Sequence, residues 1–377
     1  MSSSTGKPRD VYIVFGGSGF VGRHIVEQLM ARGDTVSVFD IVQKYHDTPF
    51  YTGDITEEEQ VADALRKSGA TCIMHTVSPP HGMQDPALYW RVNVDGTRTI
   101  INAAQALGVR KLVFTSSAGL VFNGGDLINV DERTQPPEKA MDAYNESKAR
   151  AEELVLAANG VKGLLTVSLR PAGIFGPGDR QGTAGFYDVW KRGQTHWQIG
   201  DNTNLFDWTY VGNVAHAHLL AADKLDEEPV VDLSDPSKVA GQAFFITNGE
   251  PVYFWDYARS ICYRFDKHYG TEKYKKKIIV MPNTVGLILA HAAEWWGWLT
   301  GKQPAFTVYR VKLVCKHKWH NIEKARRVLG YEPIVDLDTG MQRTVDVSLP
   351  DVCLLECLTH VSMQAYVQWV DANPGKA

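Results

Sequence analysis

Cysteine is scarce in this 377-residue chain, and Cys72, Cys262, Cys315, Cys353 and Cys357 are scattered without a repeated spacing. An odd, unpatterned set excludes a disulfide framework and points to a reducing compartment. Charge of one sign is also lacking. The net charge is −4 and no arginine or lysine stripe runs along the chain, so a nucleic-acid partner is not expected. The basic run Lys275-Lys276-Lys277 reads as a solvated loop. Metal-ligand spacing is missing too: Cys315-x-His317-x-x-His320 comes nearest but sits in an ordinary solvated segment, so no metal is expected. Residues 1–10 are polar and hold no apolar signal region, so entry to the secretory route is not expected. No internal repeat is visible.

What is present is a 44% apolar content, enough for a large core. Residues 10–170 alternate short β-rich runs with amphipathic stretches, which predicts a Rossmann-like, doubly wound parallel α/β sheet. Strands are expected at Val11–Phe15, Thr35–Phe39, Phe50–Thr52, Thr71–Thr76, Lys111–Thr115 and Leu164–Leu169. Helices are expected at Phe20–Ala31, Glu57–Ser68, Pro86–Ala106 and Tyr144–Ala158. The rhythm breaks after Arg170-Pro171. Residues 1–170, with a return helix near 208–222, are therefore read as the dinucleotide-binding domain. Residues 171–207 and 223–345 are read as a smaller C-terminal substrate lobe, and 346–377 as a divergent tail.

Two segments carry the chemistry. Gly16-Gly17-Ser18-Gly19-Phe20-Val21-Gly22 joins an apolar strand to a helix, the context in which a glycine turn accepts a pyrophosphate. Gly16 serves the tight turn, Gly19 the approach of the phosphates, and Gly22 the packing of helix on strand. Tyr144-x-x-x-Lys148 places a phenol and an ammonium one helical turn apart, where a cation favours phenolate and hence a base. The spacing recurs at Tyr187/Lys191, Tyr263/Lys267 and Tyr269/Lys273, which read as solvated pairs. Tyr144 differs because Ser116-Ser117-Ala118 ends the preceding strand, so hydroxyl and phenol converge on the crevice at the carboxyl ends of the strands.

Asp40 ends the second strand, where a carboxylate accepts the ribose hydroxyls of NAD and repels the 2′-phosphate of NADP. Asp54-Ile55 stands where adenine would lie, with a helix start around Thr56 as the competing account. Ser78-Pro79-Pro80 closes the fourth strand as a rigid loop, and Asn93 reads as a buried polar support. Residues 282–299 combine an aliphatic run with Trp295, Trp296 and Trp298. Interrupted by His291 and Glu294, the run does not suit a membrane span. A helix in a membrane interface and a helix packed on its own lobe both fit it.

Together with Asn93-x-x-Gly96-Thr97, Thr115-Ser116-Ser117-Ala118 and Arg170-Pro171, these motifs resemble the extended short-chain dehydrogenase/reductases. The stretches "FGGSGFVGRHIVEQL", "VFDI", "RVNVDGT", "LVFTSSAGLVF" and "LRPAGIFGPGDRQ" resemble the 3β-hydroxysteroid dehydrogenase branch, and within it the fungal dehydrogenases that decarboxylate 4α-carboxysterols. The resemblance covers roughly residues 10–345. It implies a catalytic triad of Ser117, Tyr144 and Lys148, with Lys148 also on the nicotinamide ribose and Pro171 and Gly173 shaping the nicotinamide pocket. It implies NAD as cofactor and a sterol as substrate. It further implies peripheral contact with the cytosolic face of the endoplasmic reticulum or with lipid droplets, beside the other enzymes of sterol C4-demethylation; a homodimer is left open. Arg180 is a candidate for the substrate carboxylate by position alone. The same fold also serves plain 3β-hydroxysteroid dehydrogenase/isomerases and sugar-nucleotide enzymes, and a silent dinucleotide sensor is a third class. The intact tyrosine and lysine speak against the sensor, and the tryptophan-rich segment against a sugar nucleotide.

Overall fold

The computed structural model describes residues 9–83, 85–225, 237–274, 277–301, 304 and 306–347. Seven strands make one parallel sheet: β1 (Val11–Phe15), β2 (Thr35–Asp40), β3 (Phe50–Thr52), β4 (Cys72–His75), β5 (Lys111–Thr115), β6 (Leu165–Pro171) and β7 (Gln242–Ile246). Their order is β3-β2-β1-β4-β5-β6-β7, so the winding reverses between β1 and β4. Side chains alternate across the pleat, and both faces are buried. Tyr12, Val14, Val36 and Val38 face one layer of core, and Ile13, Phe15 and Phe39 the other.

Helices α1 (Phe20–Arg32), α2 (Glu58–Ser68), α3 (Thr97–Leu107), α4 (Ala143–Ala157) and α5 (Val211–Leu225) cover these faces. α1 packs on α5, with the Gln28 amide donating to the Gly212 carbonyl at 2.8 Å. The expected helix Pro86–Ala106 is a composite: a short helix Pro86–Tyr89, a π-helical turn Trp90–Gly96, then α3.

The seventh strand departs from the sequence reading, which assigned 223–345 to the smaller lobe. Gln242–Ile246 pairs in parallel with β6, from Gln242 opposite Val167 to Ile246 opposite Pro171. The unit β6-α5-β7 continues the main sheet after a long excursion, and that excursion hides its rhythm. Residues 226–236 of the acidic stretch expected as a loop at 223–242, and residues 348–377 of the tail, lie outside the described residues, as do Lys275 and Lys276.

The remaining segments gather an aromatic core of Phe175, Trp190, Phe206, Trp208, Phe254, Tyr257 and Phe265. Trp208 stacks on Tyr257 with centroids 3.9 Å apart. A four-stranded sheet crosses this region, in the order Val252–Tyr253, Leu205–Phe206, Lys318–His320, Leu127–Val130.

One buried ion pair joins α4 to β6. Both Glu152 carboxylate oxygens accept from the Arg170 guanidinium, with Nε 3.0 Å from each, and Oε2 also accepts from the Ser168 hydroxyl at 2.7 Å. Removing one member of a buried pair strands the other charge, at a cost of about 3–5 kcal/mol. Glu152→Gln should lower the unfolding free energy by about that amount in urea titrations. A loss below about 1 kcal/mol would mean that α4 is held by packing alone.

Candidate active site

The glycine turn is built for close approach. Gly16 has φ +84°, and a Cβ there would lie 2.7 Å from Thr76 Oγ1. A Cβ on Gly22 would lie 2.2 Å from the Gly16 carbonyl oxygen, so α1 could not seat on the turn. Gly19 donates its N–H to the Gly16 carbonyl at 2.9 Å, and α1 begins one residue later, at Phe20 and Val21, with no side-chain cap. Its first amide groups and its dipole remain available to an anion. Asp40 sits beside this turn: its carboxylate accepts from Ser18 N–H at 3.0 Å and from Ile41 N–H at 2.8 Å. Desolvation pushes the Asp40 carboxyl up, against those two amide bonds. A glycine cradle, an uncapped helix start and an acid at the end of β2 together fit a dinucleotide whose ribose carries free hydroxyls.

At the other end of the crevice three expected residues meet. Ser117 follows β5, and its oxygen accepts from Gly119 N–H at 3.0 Å, which sets the hydroxyl's position. That hydroxyl lies near enough to the Tyr144 phenol to favour its ionised form. Lys148, one turn further along α4, is buried; its ammonium donates to the Thr115 carbonyl at 2.9 Å and lies 4.9 Å from the Phe114 ring centre.

The electrostatics differ from the simple expectation that Lys148 makes Tyr144 acidic. Desolvation pushes the phenol up to about 12, and Ser117 works against it. Desolvation also pushes the Lys148 ammonium down to about 7, opposed by Glu152. The lysine points at a backbone carbonyl. Near neutral pH the pair therefore gives up a proton most readily from its lysine end.

Asn93, on the π-helical turn, is buried and donates to the Ser147 hydroxyl at 2.9 Å; Ser147 in turn donates to the Tyr144 carbonyl at 2.8 Å. This places Asn93 behind α4 as a support. Ser78 bonds the neighbouring Pro79 carbonyl at 3.2 Å. Pro171 closes β6, and Gly173 follows at φ +46°. The Asp54 carboxylate accepts from Thr56 N–H and hydroxyl, both at 2.9 Å, while Ile55 is buried against Gly96. The Asp54 contacts are those of the helix-start account. Arg180 is exposed, and its charge presses on the Lys44 ammonium beside Asp40, so it belongs to the cofactor side of the crevice.

Cys315, His317 and His320 are engaged separately. They meet the Ile199 carbonyl, Leu205 N–H and the Asp207 carboxylate respectively.

Sequence reasoning missed the ring of residues around the phenol. His81 lies edge-on to Tyr144 at 5.0 Å, and Tyr89 at 5.7 Å. His81 also meets Tyr309 at 5.4 Å and bonds the Asp142 carboxylate at 3.2 Å. Asp142 caps α4 by accepting from Asn145 N–H at 2.7 Å. The cap was readable, since aspartate two residues before a helical tyrosine is a helix-start signal. The aromatic contacts were not.

Residues 13–276 match the 3-beta hydroxysteroid dehydrogenase/isomerase family. The chain is 47% identical over 337 residues to the sterol-4-alpha-carboxylate 3-dehydrogenase, decarboxylating, of Schizosaccharomyces pombe, covering 87% of this chain and 95% of that protein. It is 45% identical over 351 residues to the protein of the same description from Candida albicans, covering 89% and 96%. A solved UDP-glucose 4-epimerase of Thermus thermophilus, in complex with NAD, superposes at a TM-score of 0.64 with 24% identity, over 89% of this chain and 98% of that one. That likeness is one of fold.

The burial of Lys148 has a direct readout. With its ε-carbon isotopically labelled, Lys148 should titrate near pH 7 by NMR, far below the 10.5 of an ordinary lysine. A midpoint at the ordinary value would show that the ammonium is solvated or paired with a carboxylate.

Proposed function

The chain belongs to the 3-beta hydroxysteroid dehydrogenase/isomerase family, and from that premise we propose that it oxidises the 3β-hydroxyl of 4α-carboxysterols, with loss of the carboxylate as carbon dioxide, in sterol biosynthesis. The observation that carries this reading is the placement of Ser117 at the carboxyl end of β5 together with Tyr144 and Lys148 on the first turns of α4, in a chain so similar to two fungal decarboxylating dehydrogenases.

NAD, when bound, supplies the hydride acceptor. Gly16, Ser18, Gly19, Phe20, Val21 and Gly22 would hold its pyrophosphate, Asp40 its adenosine ribose, and Ser78, Pro171 and Gly173 the nicotinamide end. Lys148 would bind the second ribose.

Ser117 holds the substrate hydroxyl oxygen by a hydrogen bond, and Tyr144 takes its proton as a hydride leaves carbon 3. The Tyr144 phenol must first ionise, its proton passing to solvent, and the Lys148 ammonium one turn along α4 favours the phenolate when it is protonated. The ketone at carbon 3 makes the product a β-keto acid. The bond from carbon 4 to the carboxylate then breaks, carbon dioxide leaves, and the electron pair moves onto the carbon 3 oxygen. That oxygen still lies against Ser117 and the reprotonated Tyr144, which can return the proton. No metal is needed for either step.

A bilayer-borne substrate suits the helix α6 (Asn283–Thr300). It buries only Gly286, Ala290 and Gly297, and exposes Ile288, Leu289, Trp295, Trp296, Trp298 and Leu299. Among the described residues no helix is long and apolar enough to cross a membrane. The exposed face supports a helix lying in the interface over a helix packed on its own lobe. The address that follows is the cytosolic face of the endoplasmic reticulum or a lipid droplet, beside the other enzymes of sterol C4-demethylation.

Two experiments test these readings. A 4α-carboxysterol with NAD should give NADH and carbon dioxide in equal amounts, NADP should be at least about tenfold less efficient, and Tyr144→Phe should lose about 10²–10⁴ in rate. Carbon dioxide without NADH, or a fully active Tyr144→Phe, would sink the assignment. Replacing Trp295, Trp296 and Trp298 with serine should release the protein from liposomes while activity on detergent-solubilised sterol persists. A wild-type protein that fails to bind liposomes would refute the interfacial reading.

A further inference from the structure

The buried cation Lys318 has no anion of its own. Its residue is only 9% exposed, and among the described residues its ammonium has no hydrogen-bonded partner. It faces two aromatic rings, with centres 5.2 Å away at Phe122 and 5.7 Å away at Phe206. The two carboxylates whose charge acts on it are also engaged by histidines, Asp207 through one oxygen. Asp207 accepts from His320 N–H at 2.7 Å and meets its ring nitrogen at 3.0 Å. Asp142 accepts from Asn145 N–H and meets His81. Burial pushes the Lys318 ammonium down to about 8, with Asp142 and Asp207 opposing. A cation with no bonded partner is costly to bury, and an anion brought to it gains a charge-assisted bond.

Its position in the crevice decides which anion. Phe122 lies on the segment that follows Ser117 and meets Tyr309 at 6.3 Å; Tyr309 meets His81, and His81 lies against Tyr144. Phe206, on the opposite side, packs at Gly173, where an added Cβ would stand 3.1 Å from its ring. Lys318 is therefore bracketed by the two walls of the catalytic end, and Asp142, whose charge it feels, caps the helix that carries Tyr144. Arg180 lies near Lys44 and Asp40 instead.

We propose that Lys318 receives the carboxylate of the substrate and selects sterols that carry one next to the reacting hydroxyl. The inference rests on the sterol reading above. The aromatic floor under the ammonium suits a carboxylate on an apolar ring, and the charge-assisted bond discriminates against an analogue without it.

Wild type, Lys318→Met and Lys318→Arg are compared on a 4α-carboxysterol and on the same sterol with a methyl group in place of the carboxylate. Lys318→Met should lose about 10- to 100-fold in kcat/KM on the carboxysterol beyond any loss on the methyl sterol, mainly through KM. Lys318→Arg should restore most of the preference. Equal losses on both substrates, or an undiminished preference in Lys318→Met, would overturn the proposal while the sterol reading stands. A wild-type enzyme that oxidises neither sterol overturns both, and this is seen before any variant is tested.

Discussion

The geometry of the active site depends on how one carboxylate is shared between two buried cations. Glu152 lies one turn beyond Lys148 on α4 and bonds Arg170 on β6. Arg170 takes both carboxylate oxygens in the forked geometry that a guanidinium favours. Lys148 is left with a more distant attraction and a backbone carbonyl. Desolvation then outweighs attraction, and the ammonium becomes easy to deprotonate at neutral pH. The bond that fixes α4 to the sheet also leaves the lysine labile.

The crevice has two ends with different physics. At the glycine turn backbone comes close to backbone, and the groups it presents are amides and a single acid. Around the Tyr144 phenol, side chains come from distant parts of the chain. His81, Phe122, Phe206, Tyr309 and Lys318 come from separate loops and strands and meet only in the folded protein. The first end rests on local turn geometry, the second on tertiary packing.

That division explains what the sequence made legible. The glycine turn, Asp40 and the Ser117–Tyr144–Lys148 set were readable because each is a local motif with its own stereochemistry. Six of the seven strands were readable because their apolar runs sit between helical stretches. Gln242–Ile246 was not, since its partner in the sheet precedes it by some seventy residues of lobe and helix. Motif spacing placed Lys148 near the phenol but could not show that Thr115 holds its ammonium. Arg180 looked suitable by chain position, whereas Lys318 carries no local signal at all.

The π-helical turn at Trp90–Gly96 makes chain length itself part of the catalytic apparatus. Such a turn contains one residue more than an α-helix would hold, and the Thr97 hydroxyl donates to the Asn93 carbonyl at 2.6 Å within it. Excising a single residue there would let the helix close to regular pitch and turn its preceding half by about 100°. Asn93 would rotate away from Ser147, although its identity would be unchanged. The support behind Tyr144 is thus encoded as a count of residues as well as a choice of them.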